Sequence, residues 1–519
     1  MRGAIAAGHP LTAKAGADVL REGGNAVDAC IAAAFTSWVV ESPLTGPGAG
    51  GFLLVHRARD DSVRLLDFFA AIPGAGISGA VAEMEEVDVE FDRDTSQVFR
   101  IGAASCAVPG AIAGLDAAHR AYARMPWHRL LEPAIAIARG GFELIRPQAY
   151  LHAILDLILR HGEAGRAVYG PTGERLTTGD RVVMTDLAAT LEQLAAEGAG
   201  AFYTGELGRR VVEHVAGEGG SLTMRDLADY RVISRRPIRA TFDDHEFVSN
   251  PPPSSGGILI GYGLLLLARL GVGGPAGSAE SIARLAEVMR EQTRSRGGSF
   301  ASDLYRGGLA RRLYSDGSLR DAADRIEARE AGRREPAGVS STTHISVVDA
   351  AGNAASLTAS NGSGSGVVVP GTGIHLNNML GEYDLNPVGR SAQVGRRLTS
   401  MMAPSLVLEG ERPRLVVGSA GSVRLRGAIL QIVVNVVTHG MSVAEAIERP
   451  RVHLEEPNVH CEGGSDVAEL DRLERRGYQL VRWRRRNLYF GGAAVVELRA
   501  DGSLDAAGDP RRGGHGIVV

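Results

Sequence analysis

Two adjacent threonines, Thr342 and Thr343, open an alternating stretch deep inside the chain, Ser340-Ser341-Thr342-Thr343-His344-Ile345-Ser346-Val347-Val348-Asp349. Threonine is at home in strands, and β-propensity alone accounts for the pair. A threonine at a chain end can do more. Its own α-amine, with an unperturbed pKa of about 7.7 to 8, can act as general base for its own hydroxyl, so no separate histidine is needed. To reach that state the chain must be cut between Ser341 and Thr342. The hydroxyl can do this itself: it attacks the preceding carbonyl, forms an ester by an N-to-O shift, and water resolves the ester. Small residues leave the approach open, and the strand beyond would hold the new terminus.

The elements that must position this pair can be read from patterning. Leu11 to Arg21 has helical periodicity with Thr12 as N-cap, ended by Gly23-Gly24. Asn25 to Val40 is a second, mostly apolar helix. Pro43 to Gly51 is turn punctuation, and Phe52–Val55 with Val63–Phe68 reads as a hairpin. The acidic run Glu83 to Asp88 reads as a solvated loop. Pro109 to Arg290 is mostly helical, and Pro251-Pro252-Pro253-Ser254-Ser255-Gly256-Gly257 is a rigid turn into another apolar helix. Residues 326–338 are polar, charged and broken by glycine and proline, which suggests an exposed linker open to a nick. Beyond the threonines, His344–Val348 and Ala354–Thr358 form a hairpin, Leu406–Leu408 and Leu415–Gly418 another pair, Val423–Val437 an apolar helix, and Ser442 a capping box. Blocks of strands and helices suggest sheets covered by helices.

Composition bounds the rest. The chain has 519 residues, 44% hydrophobic and 22% charged, with a net charge of −4. These values describe an ordinary globular protein and give no electrostatic case for nucleic acid or an anionic membrane. Cys30, Cys106 and Cys461 stand singly, without metal-like spacing, and read as buried or half-buried thiols. The longest apolar tract, Ala26 to Val40, is short for a bilayer span and contains Asp28. No signal-like segment opens the sequence, so a cytoplasmic location is expected, with no nucleic-acid or membrane partner.

Taken together, these stretches resemble the γ-glutamyltransferase family of N-terminal-nucleophile hydrolases. Thr342 to Asp349 with Gly352-Asn353-Ala354 resembles its processing-site hairpin. Glu22-Gly23-Gly24-Asn25-Ala26-Val27-Asp28-Ala29, Gly48-Ala49-Gly50-Gly51-Phe52, Pro251 to Gly257, Leu376-Asn377-Asn378 and Asp509-Pro510-Arg511-Arg512-Gly513-Gly514 fall in the family's order. The resemblance implies an α+β, four-layer αββα sandwich, with a large subunit 1–341 and a small subunit 342–519 that pair after cleavage. It makes Thr342 the nucleophile and new N-terminus, with Thr343 and His344 shaping the site. Ser360 stands at a second hydroxyl position that supports the nucleophile. Gly421 and Ser422 match the family's glycine pair, with serine in the second place, and their backbone N–H groups would form the oxyanion hole. Losing one such donor typically costs about a hundred- to a thousandfold in rate. The turn lacks the spacing of a phosphate loop. No metal or organic cofactor is called for.

Departures from the family fall on the substrate pocket. After Asp67-Phe68, where glutathione-active members have an arginine that grips the substrate α-carboxylate, this chain has Phe69. A charge-assisted bond of that kind contributes roughly 1.5 to 3 kcal/mol, so γ-glutamyl recognition should weaken about tenfold to a hundredfold. Arg396 or Arg397 is a candidate replacement cation. Met379 and Glu382 stand at the family's polar and acidic partners for the substrate amino group. Thr399-Ser400 keeps both hydroxyls of a Ser-Ser pair. Asn361 lies nearest the family's binding asparagine, in a shortened loop, and Tyr383 to Arg397 is too short for the lid of some members. The expected activity is cleavage of a γ-glutamyl or related amide through an acyl-enzyme, with water or an amine as acceptor. The alternatives are an acylase or amidase on a non-glutamyl substrate, and an unprocessed, non-catalytic family member.

Overall fold

A computed structural model describes residues 2–77, 81–92, 95–329, 342–382, 393–422 and 424–519. Ser341 and the predicted linker beyond residue 329 lie outside them, as does most of the shortened segment after Glu382. Two antiparallel sheets face each other. The first runs His515–Val518, Gly3–Ala7, Thr343–Asp349, Ala354–Ser360, Gly50–Arg57, Ser62–Phe68, Ile233–Arg235. The second runs Leu504–Gly508, Gly492–Leu498, Arg412–Ala420, Ser405–Glu409, His245–Ser249, Ile238–Phe242.

Alternation along each strand divides the core into layers. On the threonine strand, Ile345 and Val347 face the helices Pro10–Arg21 and Ala26–Val40, joining Ile5, Leu53, Val55 and Leu357 in one apolar cluster. Val348 faces the other sheet, where Phe52, Leu54, Leu65, Val248, Leu406, Val416 and Val496 interdigitate. The outer face of the second sheet, with Phe247, Val407, Leu415, Val417 and Val495, is covered by Gly256–Leu270 and Arg424–Val437. The expected αββα sandwich is therefore the observed fold.

The helix Ala26–Val40 is buried along its whole length, which explains why its sequence is apolar on all sides. Asn25 and Asp28 form a capping box at its start. Asp349, at the end of the threonine strand, accepts from Ala26 N at 3.0 Å and from Asn353 N at 3.0 Å. One carboxylate thus ties the strand's hairpin turn to the first buried turn of this helix.

Four local expectations differ from the structure. The first helix is capped by His9, whose Nδ1 accepts from Leu11 N, while Thr12 turns inward to Glu41. The acidic run enters a strand, Glu85–Asp92, paired with Thr95–Ile101. Its outward residues stay in water, so charge did not forbid pairing. The stretch read as mostly helical is so over most of its length but also contains Ile233–Arg235, Ile238–Phe242 and His245–Ser249, whose short alternations were hidden between long helices. Residues 326–329 complete the helix Asp316–Arg329 and do not begin a linker. The three cysteines are free and buried. Among the described residues, no helix is long and apolar enough to cross a membrane.

Candidate active site

Thr342 is buried and directly precedes the strand Thr343–Asp349. That strand pairs Thr343 with Ala359. Continuing the register by one residue sets Ser360 opposite Thr342, with side chains on one face and Cβ atoms about 5 Å apart. Ser360 in turn pairs with Gly50, at the start of the strand that leads to the following hairpin. Thr342, Ser360, Glu382, Ser400 and Ser422 line a small cleft together with the apolar Phe69, Met379, Met401, Met402 and Leu425.

Each wall is held by a motif noted in the sequence. Ser400 O accepts from Ser255 N at 2.7 Å and from the hydroxyls of Ser254 and Ser255, both at 3.0 Å. Asn250 Nδ2 donates to Met402 O at 2.8 Å. The proline-serine-glycine turn therefore grips the backbone of residues 400–402, and a Cβ on Gly256 would lie 1.9 Å from Met401 O. Asn377 Nδ2 donates to Gly48 O at 2.8 Å, and its Oδ1 accepts from Met379 N at 3.1 Å. Asn378 Oδ1 accepts from Ser363 N at 2.9 Å. The asparagine pair sets the loop that carries Met379 and Glu382.

Phe69 is fully buried and stacks on Phe52, ring centroids 5.5 Å apart. Asp67 accepts from Phe69 N at 3.0 Å, and Tyr230 donates to Phe69 O at 2.8 Å. Arg397 supports this backbone from behind: it donates to Phe69 O and to Arg231 O, and its guanidinium lies over the Tyr230 ring. Arg396 lies over the ring of Tyr305. Neither arginine lines the threonine cleft, so neither restores a carboxylate grip there.

The turn after the strand Arg412–Ala420 has Gly421 at φ 116° and Ser422 at φ 52°. Both are in the left-handed half of backbone space, where serine is strained and glycine is not. The carbonyls of Gly421 and Ser422 accept from Arg424 N and Leu425 N at 3.1 and 3.2 Å, launching the helix Arg424–Val437. The turn thus sits at the positive end of a helix dipole.

Five of the predicted site residues that the structure describes are not among those lining the cleft: Gly421, in the turn described above, and four others. Thr343 points to the helix side and donates to Glu41 Oε2 at 2.5 Å. His344 lies between the sheets: its Nδ1 meets Thr358 Oγ1 at 2.7 Å and its Nε2 meets Ser346 Oγ at 3.0 Å. Ser346 donates onward to Ala494 O, which puts the histidine proton on Nε2. Burial holds the His344 pKa down to about 3, so it stays neutral. The Asn361 side chain is buried beside Gly46, with no hydrogen-bond partner for either polar atom among the described residues. Thr399 is half-buried next to the wall residue Ser400. Strand alternation explains the first two: with Thr342 facing the cleft, Thr343 must face away, and His344 falls deeper into the sandwich.

Sequence reasoning missed two buried charges under the nucleophile. Glu41 follows the mostly apolar helix Ala26–Val40 and accepts from both Thr12 and Thr343. Burial raises its pKa, against the lowering pull of those hydroxyls and of Arg512. Arg512 is buried with its Nη1 3.4 Å from Thr342 O. A carboxylate closing a mostly apolar, fully buried run was the available signal, because a buried charge needs partners.

Comparison with known proteins gives the same picture. The sequence profile described as gamma-glutamyltranspeptidase matches residues 12–519. The chain is 34% identical over 537 residues to the acylase ACY 1 proenzyme of Pseudomonas sp. (strain SE83), covering 100% of this chain and 94% of that protein. It is 30% identical over 535 residues to the glutathione hydrolase proenzyme of Escherichia coli (strain K12), covering 98% and 90%. The crystal structure of a cephalosporin acylase from Bacillus halodurans superposes with a TM-score of 0.87 at 24% identity, over 99% of this chain and 95% of that one, a likeness of fold.

Proposed function

Because the chain belongs to the gamma-glutamyltranspeptidase family, we propose that it is a self-processing N-terminal-threonine amidohydrolase that passes an acyl group from a small-molecule amide to water or an amine. The observation that carries this reading is the placement of Thr342 at the head of a rigid, buried strand, in one cleft with Ser360 and Ser422. In the precursor the Thr342 hydroxyl attacks the Ser341 carbonyl carbon, the peptide C–N bond breaks, and water hydrolyses the resulting ester. The products are a large subunit 1–341 and a small subunit 342–519, which stay paired. In turnover the freed α-amine takes the hydroxyl proton, Oγ attacks the substrate carbonyl, and the same proton goes to the departing amine. Water or a second amine then releases the acyl group. Ser360 supports the hydroxyl, and the backbone N–H groups of Gly421 and Ser422 stabilise the oxyanion.

The apolar wall favours a second reading of the donor. Phe69, Met379, Met401, Met402 and Leu425 face the cleft where a γ-glutamyl group would need a cation for its α-carboxylate. Glu382 and Ser400 keep a polar edge. This lining suits an acyl group less polar than γ-glutamyl, the chemistry of an acylase.

One experiment tests both. The intact mass of the purified protein is measured beside Thr342→Ala, and the cleaved enzyme is given γ-glutamyl anilide and neutral acyl anilides. Two fragments meeting between Ser341 and Thr342, absent in the variant, are expected, with faster turnover of a neutral donor. A chain that stays whole would overturn the nucleophile. A strong preference for the glutamyl anilide would overturn the apolar donor.

A further inference from the structure

The proposed mechanism requires the Thr342 α-amine to be neutral at working pH, yet an ordinary α-amine is mostly protonated at pH 7. We propose that Arg512 is a positioning residue that holds the new terminus by its carbonyl and keeps the α-amine unprotonated by fixing a positive charge beside it. The proposal rests on the reading of Thr342 as nucleophile.

Arg512 is an unusual buried cation. Its Nη1 donates to Thr342 O at 3.4 Å and its Nη2 to Leu488 O at 3.5 Å, both long, while Nε has no partner among the described residues. Its neighbours are well matched: Arg451 with Asp509 at 2.7 Å, and Arg511 with Glu462 and Asp509. Among the described residues no carboxylate is hydrogen-bonded to Arg512, and Asp509 and Glu41 act on it only through space; that is a costly place for a buried guanidinium, and here it points at the residue whose charge matters most. Burial and nearby Arg424 lower its pKa to about 10, which leaves it charged at neutral pH.

Other ionisable groups surround it. Glu41, at the end of the helix Ala26–Val40, faces Arg512 and spends its oxygens on Thr12 and Thr343; burial raises its pKa against the lowering pull of those hydroxyls and of Arg512. Asp509 is shared by Arg451 and Arg511. Arg424, from the helix after the oxyanion turn, adds a second cation that lies over the Tyr489 ring. His9, from the loop before the first helix, is neutral, its pKa pushed down to about 4 by burial. His344, on the threonine strand itself, is neutral too. Glu382 on the cleft side is the opposing carboxylate. Standard bond lengths put the Thr342 nitrogen no more than about 7 Å from Nη1. A unit charge at that range in a protein interior lowers an amine pKa by roughly one to two pH units.

The test uses the cleaved enzyme, with Arg512→Met and Arg512→Lys. The acidic limb of kcat/KM reports the base of the free enzyme. It is expected to move up by about one to two pH units in Arg512→Met and to stay near the wild-type position in Arg512→Lys. In parallel, the pH dependence of periodate oxidation of the N-terminal amino alcohol reads the neutral amine without turnover. Its wild-type midpoint is expected below about 7, and a midpoint near the ordinary value of about 8 overturns the proposal even if Arg512→Met fails to fold. A cleaved Arg512→Met with an unmoved limb overturns it as well. So does an Arg512→Lys that moves as far as Arg512→Met, since a merely structural arginine would give that result. A chain that stays whole has no such amine, which removes the nucleophile reading and this inference together. A cleaved chain with an unshifted midpoint removes only the role of Arg512.

Discussion

At the scale of the residue, Ser422 departs most from what its conformation asks for. A non-glycine residue at φ 52° is strained by about 1 kcal/mol. The proposed donor at this position is the backbone N–H, which any residue supplies. Ser422→Gly is therefore expected to leave turnover within about twofold and to raise unfolding free energy by roughly 0.5 kcal/mol, the relief being partly offset by glycine's unfolded-state entropy. Urea unfolding and steady-state kinetics check both halves. A tenfold loss of kcat would mean that the serine hydroxyl itself contacts the reacting group. Residue type raised Thr342 as a candidate nucleophile, and the family resemblance added Ser360 and this turn, because short motifs carry local chemistry. Glu41 and Arg512 were not legible as site residues, because nothing short of the fold brings positions 41, 342 and 512 together.

At the scale of the element, the cleft is a product of close approaches. Ser400 to Met402 form a wall because the start of the helix Gly256–Leu270 presses its backbone on theirs. Gly256→Ala would drive a Cβ to 1.9 Å from Met401 O, with backbone on both sides of the clash. Overpacking of this kind costs about 1–3 kcal/mol. The variant should melt lower and show a raised KM with smaller change in kcat, since the wall moves and the nucleophile does not. Unchanged melting and KM would show that this wall yields freely. Long periodic helices, the capping box at Ser442 and the hairpin that begins at the threonines could be read from pattern. The strands between Ile233 and Ser249 could not, since short alternations flanked by helices give no period long enough to stand out. Nor could the pairing of the acidic run, whose strand turns Val87 and Val89 toward the core and Glu86 and Asp88 to water.

At the scale of the whole molecule, burial has gathered histidines that the interior keeps neutral. The pKa values are held down to about 4 for His9, His152, His375 and His460 and about 3 for His344, desolvation being the main cause in each. These lie below the ordinary value of about 6.5. Between those limits the unfolded chain binds protons that the folded one does not, so stability is full above about pH 6.5 and is lost as pH falls toward 4. Each histidine contributes a slope of up to about 1.4 kcal/mol per pH unit. Glu41, with its pKa raised, works in the opposite sense above the ordinary carboxylate value, as a single group. Denaturant midpoints at pH 7.5 and pH 5 should therefore show a marked loss at the lower pH. Equal midpoints would mean that the histidines are protonated in the folded state.

The strand order has a last consequence. In the first sheet Thr343–Asp349 and Ala354–Ser360 lie between Gly3–Ala7 and Gly50–Arg57, so strands from either side of position 342 are neighbours on both flanks. The second sheet likewise joins Ser405–Glu409 to His245–Ser249. While the chain is continuous, these pairings form at the high effective concentration that a tether supplies. After the proposed cut, the same pairings would become an encounter between two molecules. Folding is then first order before cleavage and second order after it, and the melting temperature of the mature protein acquires a dependence on concentration that the precursor lacks. The event that would create the catalytic amine thereby also makes assembly a step that dilution can prevent from being repeated.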